Sequence, residues 1–473
     1  MYVFTVFCTI SSTTTDEWSV GEATIDILTD DALLTIFLLC KDVSSPDLSW
    51  WQPLVHVCRR WRHVIFASPL HLNLTLVCTV TAPVKKSSNI WPPLPIAFDL
   101  TSYGRRGHTK IITTTLGRHG PDRVSVIRLE NLMIRNFIQL TRAMESPFPA
   151  LTYLSLRRNG MPNEGQDDDF ILRDVFLGGS APSLRTLILD KIGFPALPKL
   201  LLSTTQLVTL QLFSTLGYMS LRVTVTCLAA LPNLKQLHIT HCPFYNLDPS
   251  PSQSRAVLPS LTSFYFHGTS GSLEDFVAQI DAPMLRTLSI TLDGVIHIPQ
   301  LLQFVIRAET LNPPIRVIFL FEEWRFRLKL MPSDGVDGVE FATRDRNSSD
   351  QFITMGSLCS ALSPLLSHVE RLDLHCNPLS PPSQGFGIPL FWKRLFRRFT
   401  SVQSLYVSKK VWPRVGPGLR ALIGERAAES LPELRTLFLE EPSEEDKQSI
   451  ESFVAMRRLT IQPCTASDFV AES

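Results

Sequence analysis

From residue 124 onward, apolar residues recur in one spacing, L-x-x-L-x-L, often preceded by Pro or Ala-Pro. Leu151, Leu154 and Leu156 make one copy, and Leu184, Leu187 and Leu189 the next. Further copies begin at Leu207, Leu234, Leu261, Leu285 and Leu434, with looser ones at Val124, Ile315, Val369, Val402 and Met456. Within each copy the last apolar positions alternate with other residues, which predicts a short strand with one buried face. Between copies, apolar residues near helical spacing predict helices over 136–145, 198–203, 224–231, 273–280, 299–308, 357–367, 391–399, 419–429 and 444–453.

With the long interval from Ile315 to Val369 counted as two, the copies recur about every 28 residues. One strand and one helix cannot close a core alone, but stacked units can. The pattern resembles degenerate leucine-rich repeats. Asn159, Cys242 and Asn377 stand where such repeats place a turn-closing ladder residue. The missing copy is expected near 336–345, around Val339 and Phe341. Four inserts, 158–169, 246–259, 331–350 and 376–389, are rich in acids, Pro, Ser or Gly and are expected as exposed loops. Residues 71–120 are expected to begin or cap the repeats, with β structure at 71–79 and 94–100 and a helix at 111–117.

Residues 24–70 follow a different pattern. Leu33, Leu34, Ile36, Phe37, Leu38 and Leu39 crowd a predicted helix on nearly every side, with Asp30 and Asp31 in its first turn. Pro53 can open the next helix. Leu54, Val57, Cys58, Trp61 and Ile65 then fall on one helical stripe. A unit of about forty residues rarely buries so much apolar surface by itself. The surplus implies docking onto its own chain or onto a partner.

Leu28, the two acids, Leu33, Ile36-Phe37 and Val57-Cys58-Arg59-Arg60-Trp61-Arg62 together resemble an F-box. The wording of this stretch is similar to the F-box proteins of mushroom-forming fungi. Most F-boxes carry Pro after the first Leu. Thr29 stands here, and Thr can cap the helix instead. The resemblance implies docking on a Skp-type adaptor, and through it on a cullin, by Leu28, Leu33, Ile36, Phe37, Leu54, Val57, Cys58 and Trp61. It also implies an unidentified protein substrate held by the repeats. The expected fold is α/β: a small all-α F-box unit, then a leucine-rich-repeat solenoid with a curved parallel sheet and helices on its convex side. Expected boundaries are an extension at 1–23, the F-box at 24–70, the connecting segment at 71–120 and the repeats at 121–473. The alternative is a non-catalytic repeat scaffold whose F-box-like helices only cap the solenoid.

Composition narrows the partners. Lys+Arg 45 against Asp+Glu 44 leaves no basic excess, so nucleic acid is not expected. The longest apolar stretch, 64–84, is interrupted by Pro69, His71 and Pro83, so no membrane span is expected. The 9 cysteines are scattered without a CxxC pair, which suggests reduced thiols and a cytoplasmic or nuclear location.

No phosphate loop, G-x-S-x-G, H-E-x-x-H or EF-hand loop is present. The sequence is therefore read as non-enzymatic, with no cofactor. His238, His241 and Cys242 form the nearest approach to a metal motif. His241 has the opposite strand parity and Cys242 a ladder role, so no metal site is expected there. Asp167, Asp168 and Asp169 are read as a solvated loop. By strand parity the concave face carries Tyr153, Phe213, His238, Tyr265, Phe319, Phe321, Arg371, His375, Tyr406 and Phe438, which are expected to bind substrate.

Overall fold

Alternating apolar residues do become strands. The computed structural model describes residues 27–43, 50–69, 71–79, 93–100, 108–132, 134–158, 170–215, 219–242, 244–245, 255–294, 296–322, 325–333, 338–344, 348–376, 389–422 and 429–465. The extension 1–23, Asn159, Asp167, Asp168, Asp169 and Asn377 lie outside the described residues. So do most of the inserts 158–169, 246–259 and 376–389. The chain divides into two compact units, residues 1–77 with 86–95, and residues 78–85 with 96–473.

In the first unit, helix α1 (Asp30–Val43) is followed by a 3-10 turn (Leu54–His56) and helix α2 (Arg59–Ala67). Thr29 Oγ1 accepts from the Ala32 amide at 3.2 Å and so caps α1. The stripe from Leu54 to Ile65 does not form one helix. Cys58 is extended (φ −154°), and its sulfur accepts from the Trp61 amide to start α2 afresh. Arg62 Nε donates to Val55 O at 2.9 Å, taking a carbonyl that a continuous helix would use. Phe37 meets the edge of Trp61 at 5.0 Å, and Trp51 meets Phe66 at 6.0 Å. Trp51 Nε1 donates to Thr75 O, which satisfies the polar end of a fully buried ring. The strand Leu76–Cys78 falls within the stretch 71–79 where β structure is expected.

The second unit is mixed α/β, with a long and mostly parallel sheet. Its strands are β1 (Ile96–Leu100), β2 (Val124–Leu132), β3 (Tyr153–Arg158), β4 (Thr186–Asp190), β5 (Thr209–Phe213), β6 (Gln236–Thr240), β7 (Ser263–Thr269) and β8 (Thr287–Asp293). They continue as β9 (Arg316–Phe321), β10 (Arg325–Met331), β11 (Gly338–Arg344), β12 (Arg371–Cys376), β13 (Ser404–Val407), β14 (Thr436–Glu440) and β15 (Thr460–Cys464). Each copy recognised in the sequence supplies one of these strands. The register is continuous: Leu154, Leu187, Leu210, Leu237, Phe264 and Leu288 lie side by side across six strands. A one-residue slip would turn this buried row toward solvent, so the leucine spacing itself fixes the pairing.

Helices α3 (His108–His119), α4 (Ile134–Ala143), α5 (Leu197–Ser203), α6 (Leu221–Ala229), α7 (Ser270–Val277) and α8 (Pro299–Arg307) connect the strands of the first half. Helices α9 (Ser348–Ala361), α10 (Ser363–Leu366), α11 (Pro389–Phe396), α12 (Trp412–Arg420) and α13 (Glu444–Arg457) serve the second half. They meet the buried face of the sheet. Phe264 of β7 lies 5.6 Å from Phe276 of α7, and Phe321 of β9 lies 6.2 Å from Trp392 of α11. None of the described helices is long and apolar enough to cross a membrane.

Two expectations need correction. The missing copy does fall at Val339 and Phe341, but it does not follow β9 in space. Strand order runs β8-β11-β10-β9-β12, and β10 is antiparallel to both neighbours. The insert 331–350 is therefore partly strand. The helix expected at 419–429 lies instead at Trp412–Arg420, while 423–428 are outside the described residues. Pro413, Gly416, Pro417 and Gly418 argue against a helix there on propensity, but packing overrides them. A Cβ at Gly418 would lie 2.5 Å from Trp392 Cβ, so the glycine permits the close approach of α12 to α11.

Candidate functional site

Where one strand residue faces the helices, the next faces away, and the away-facing residues form an open face. The structure gathers the predicted binding residues on this face into two clusters. In the first, Phe213, His238 and Tyr265 step across β5, β6 and β7, with ring centroids 4.6 Å and 5.4 Å apart. Arg157 lies over Phe213 at 6.0 Å. In the second, Tyr406 and Phe438 stack at 4.0 Å with 5° between their planes, and the Arg371 guanidinium lies 3.8 Å from the Tyr406 centroid. Tyr265 is 37% exposed, enough to be touched by a partner. Tyr153 stands apart from both clusters, beneath the guanidinium of Arg128 at 4.8 Å.

Phe319 and Phe321 do not belong to the open face. They are 0% and 3% exposed and face the helices, with Phe319 6.0 Å from Phe399. Ile318 and Leu320 take the outward positions. Residues 317–321 are apolar throughout, so alternation alone cannot fix which set is buried. Packing against Phe399 and Trp392 buries the two phenylalanines.

Between the aromatic clusters lies a charged patch that the leucine template passed over. Arg325, Arg327 and Lys329 share the open face of β10. Arg327 is paired with Glu322 and lies 3.9 Å from Glu340. Asp373 is fully buried and accepts from Arg316 at 2.6 Å and Arg371 at 2.9 Å. The alternation in Arg-Phe-Arg-Leu-Lys-Leu was the available signal for this strand.

Burial lowers the pKa of two imidazoles on this face, His238 and His375. Burial, with the charge of His267 second, pushes His238 below its ordinary value. Burial also lowers His375 to about 4, with Arg316 and Arg371 adding to the effect and Asp373 opposing it. Asp190, also on the face, is pushed up, mainly by burial. The face therefore offers flat rings, half-buried imidazoles and mostly paired charges, a mixture suited to a protein surface.

In the first unit the expected adaptor-binding residues separate by burial. Leu33 and Phe37 are 1% and 0% exposed, so they belong to the core. Leu28, Ile36, Leu54 and Trp61 are half-buried, while Val57 and Cys58 are exposed. Ile27 and Leu39, which the sequence reading did not single out for docking, are 72% and 61% exposed. Arg60 pairs with Asp30 at 2.8 Å and also donates to Leu28 O, tying α2 to the start of α1.

A scan against models of protein families finds no match to the chain, and no curated protein matches it. The local chemistry therefore carries the functional argument. Burial pushes the thiols of Cys227, Cys242 and Cys359 up, which makes them poor nucleophiles. The buried Cys242 thiol donates to Leu212 O at 3.5 Å. A cleft of about 680 Å³ near β11 has Arg286 and Glu309 as its charged lining residues.

Proposed function

We propose that the chain is the substrate-recognition subunit of a Skp–cullin–F-box ubiquitin ligase. In this reading the first unit docks on a Skp-type adaptor, and the repeats present their open face to a target protein. The receptor performs no chemistry itself and uses no cofactor. It raises the local concentration of its target near the ligase, an effective-concentration effect. The single observation that carries the reading is the apolar surface remaining on the first unit after its own core is filled, at Ile27, Leu39 and Val57. Free cysteines at 8 described positions support placement in a reducing compartment, the cytoplasm or nucleus. The burial of Leu33 and Phe37 favours the second reading, a scaffold whose helices serve only its own fold.

The test compares tagged wild-type chain with Tyr265→Ala/Phe438→Ala, each purified from cells under proteasome inhibition. The adaptor and cullin are expected with both. A defined set of ubiquitylated proteins is expected with the wild type alone. No adaptor with the wild type, or an identical captured set with the variant, would overturn the proposal.

A further inference from the structure

We propose that His241, His267 and Asp293 form a binding site for a late first-row divalent cation, zinc in the first instance, that clasps β6, β7 and β8 together. The three residues come from successive copies. His241 follows the last residue of β6, His267 lies within β7, and Asp293 ends β8. Their ligand atoms all lie within 4.8 Å of one another.

Backbone geometry explains why strand parity concealed this grouping. Continued as a strand, residue 241 would face away from His238. His241 instead adopts a left-handed conformation, φ 47°, and its amide donates to His267 O at 2.7 Å. The turn brings its ring to 4.1 Å from that of His267. The same left-handed turn follows β4 at Lys191 (φ 57°) and β5 at Ser214 (φ 45°), so the repeat itself supplies the geometry and the histidine supplies the chemistry.

The distances suit ligands around an ion better than direct hydrogen bonds. His241 Nδ1 lies 3.5 Å from Asp293 Oδ2, and His267 Nε2 lies 3.4 Å from Asp293 Oδ1. Both exceed the usual hydrogen-bond range of about 2.7–3.2 Å. Around a tetrahedral zinc ion with bonds of about 2.0–2.1 Å, neighbouring ligand atoms sit roughly 3.3–3.4 Å apart. Each imidazole already stands near that distance from one carboxylate oxygen, His241 from Oδ2 and His267 from Oδ1, and with one ligand atom taken from each residue the three lie within 4.8 Å. Rotation of the His241 ring, whose side chain is 44% exposed, would bring the three atoms to ligand spacing.

Two imidazoles and one carboxylate are a donor set that suits zinc, copper or nickel. Arg344 is paired in register with Asp293 and opposes a cation electrostatically, so the site is expected to be selective for strong ligation over simple charge attraction. The fourth position is left to water. The site is separate from the proposed adaptor contact and stands or falls independently of the ligase reading.

The test titrates chelator-treated full-length chain with zinc chloride by calorimetry and records cobalt(II) spectra. Wild type is expected to bind one ion at this site and to melt at a higher temperature with zinc present. Asp293→Asn preserves shape. His241→Asn uses a residue that tolerates left-handed backbone. Each is expected to weaken binding roughly tenfold or more. His368→Asn, exposed and distant in sequence, is expected to bind as wild type. Circular dichroism without metal checks folding, and Asp293→Asn decides the matter if His241→Asn unfolds. Unchanged zinc affinity in Asp293→Asn would overturn the proposal. So would cobalt bands of thiolate ligation that vanish in Cys58→Ser.

Discussion

Asp373 is fully buried between two guanidinium groups, Arg316 at 2.6 Å and Arg371 at 2.9 Å. Replacing it with Asn keeps the shape but leaves two partly buried cations without their counter-charge. Urea denaturation of Asp373→Asn is expected to show a loss of about 3 kcal/mol, the usual scale for breaking a buried ion pair. His375, two residues along, gives a pH signature. Its folded value of about 4 lies below the ordinary 6.5, so the unfolded chain takes up the proton first as pH falls. Its contribution to stability is complete above pH 6.5, fades as pH drops toward 4 and is constant below that. His375→Gln is expected to flatten this part of the curve, which melting temperatures across the range would show. At this scale the sequence was legible where polar and apolar residues alternate, as at His238 and Tyr265. It was illegible at 317–321, where every residue is apolar and only packing against Phe399 and Trp392 selects the buried set.

The hairpin of β9 and β10 is the least regular element of the second unit. It reverses chain direction once, so β11 reaches β9 only through the antiparallel β10. Gly338, the first residue of β11, makes this pairing possible. A Cβ there would lie 2.6 Å from Leu330 O, a backbone atom that cannot turn aside. Gly338→Ala is expected to destabilise the chain by about 1–3 kcal/mol, the range for overpacking, read as an earlier urea midpoint. The parallel strands were legible because each follows the same spaced leucines. β10 was missed because a search for strand–helix units has no place for a strand entered by a short turn. α12 was displaced because two prolines and two glycines hid a helix that tertiary packing imposes.

Across the whole molecule, two units carry the two halves of the proposed function. The first keeps Leu39 and Val57 exposed after filling its core with Leu33, Phe37, Trp51 and Ile65. A charge at Leu33 would therefore report on folding rather than docking. In the proposed function the rings and paired charges of the second unit's open face would meet the target. The most direct test is the affinity of the purified full-length chain for a purified Skp-type adaptor, measured by calorimetry. Wild type is expected to form a one-to-one complex, and Leu39→Asp/Val57→Asp to bind roughly a hundredfold more weakly with an unchanged melting temperature. A wild-type chain that does not bind the adaptor, or a double variant that binds it equally well, would contradict the account.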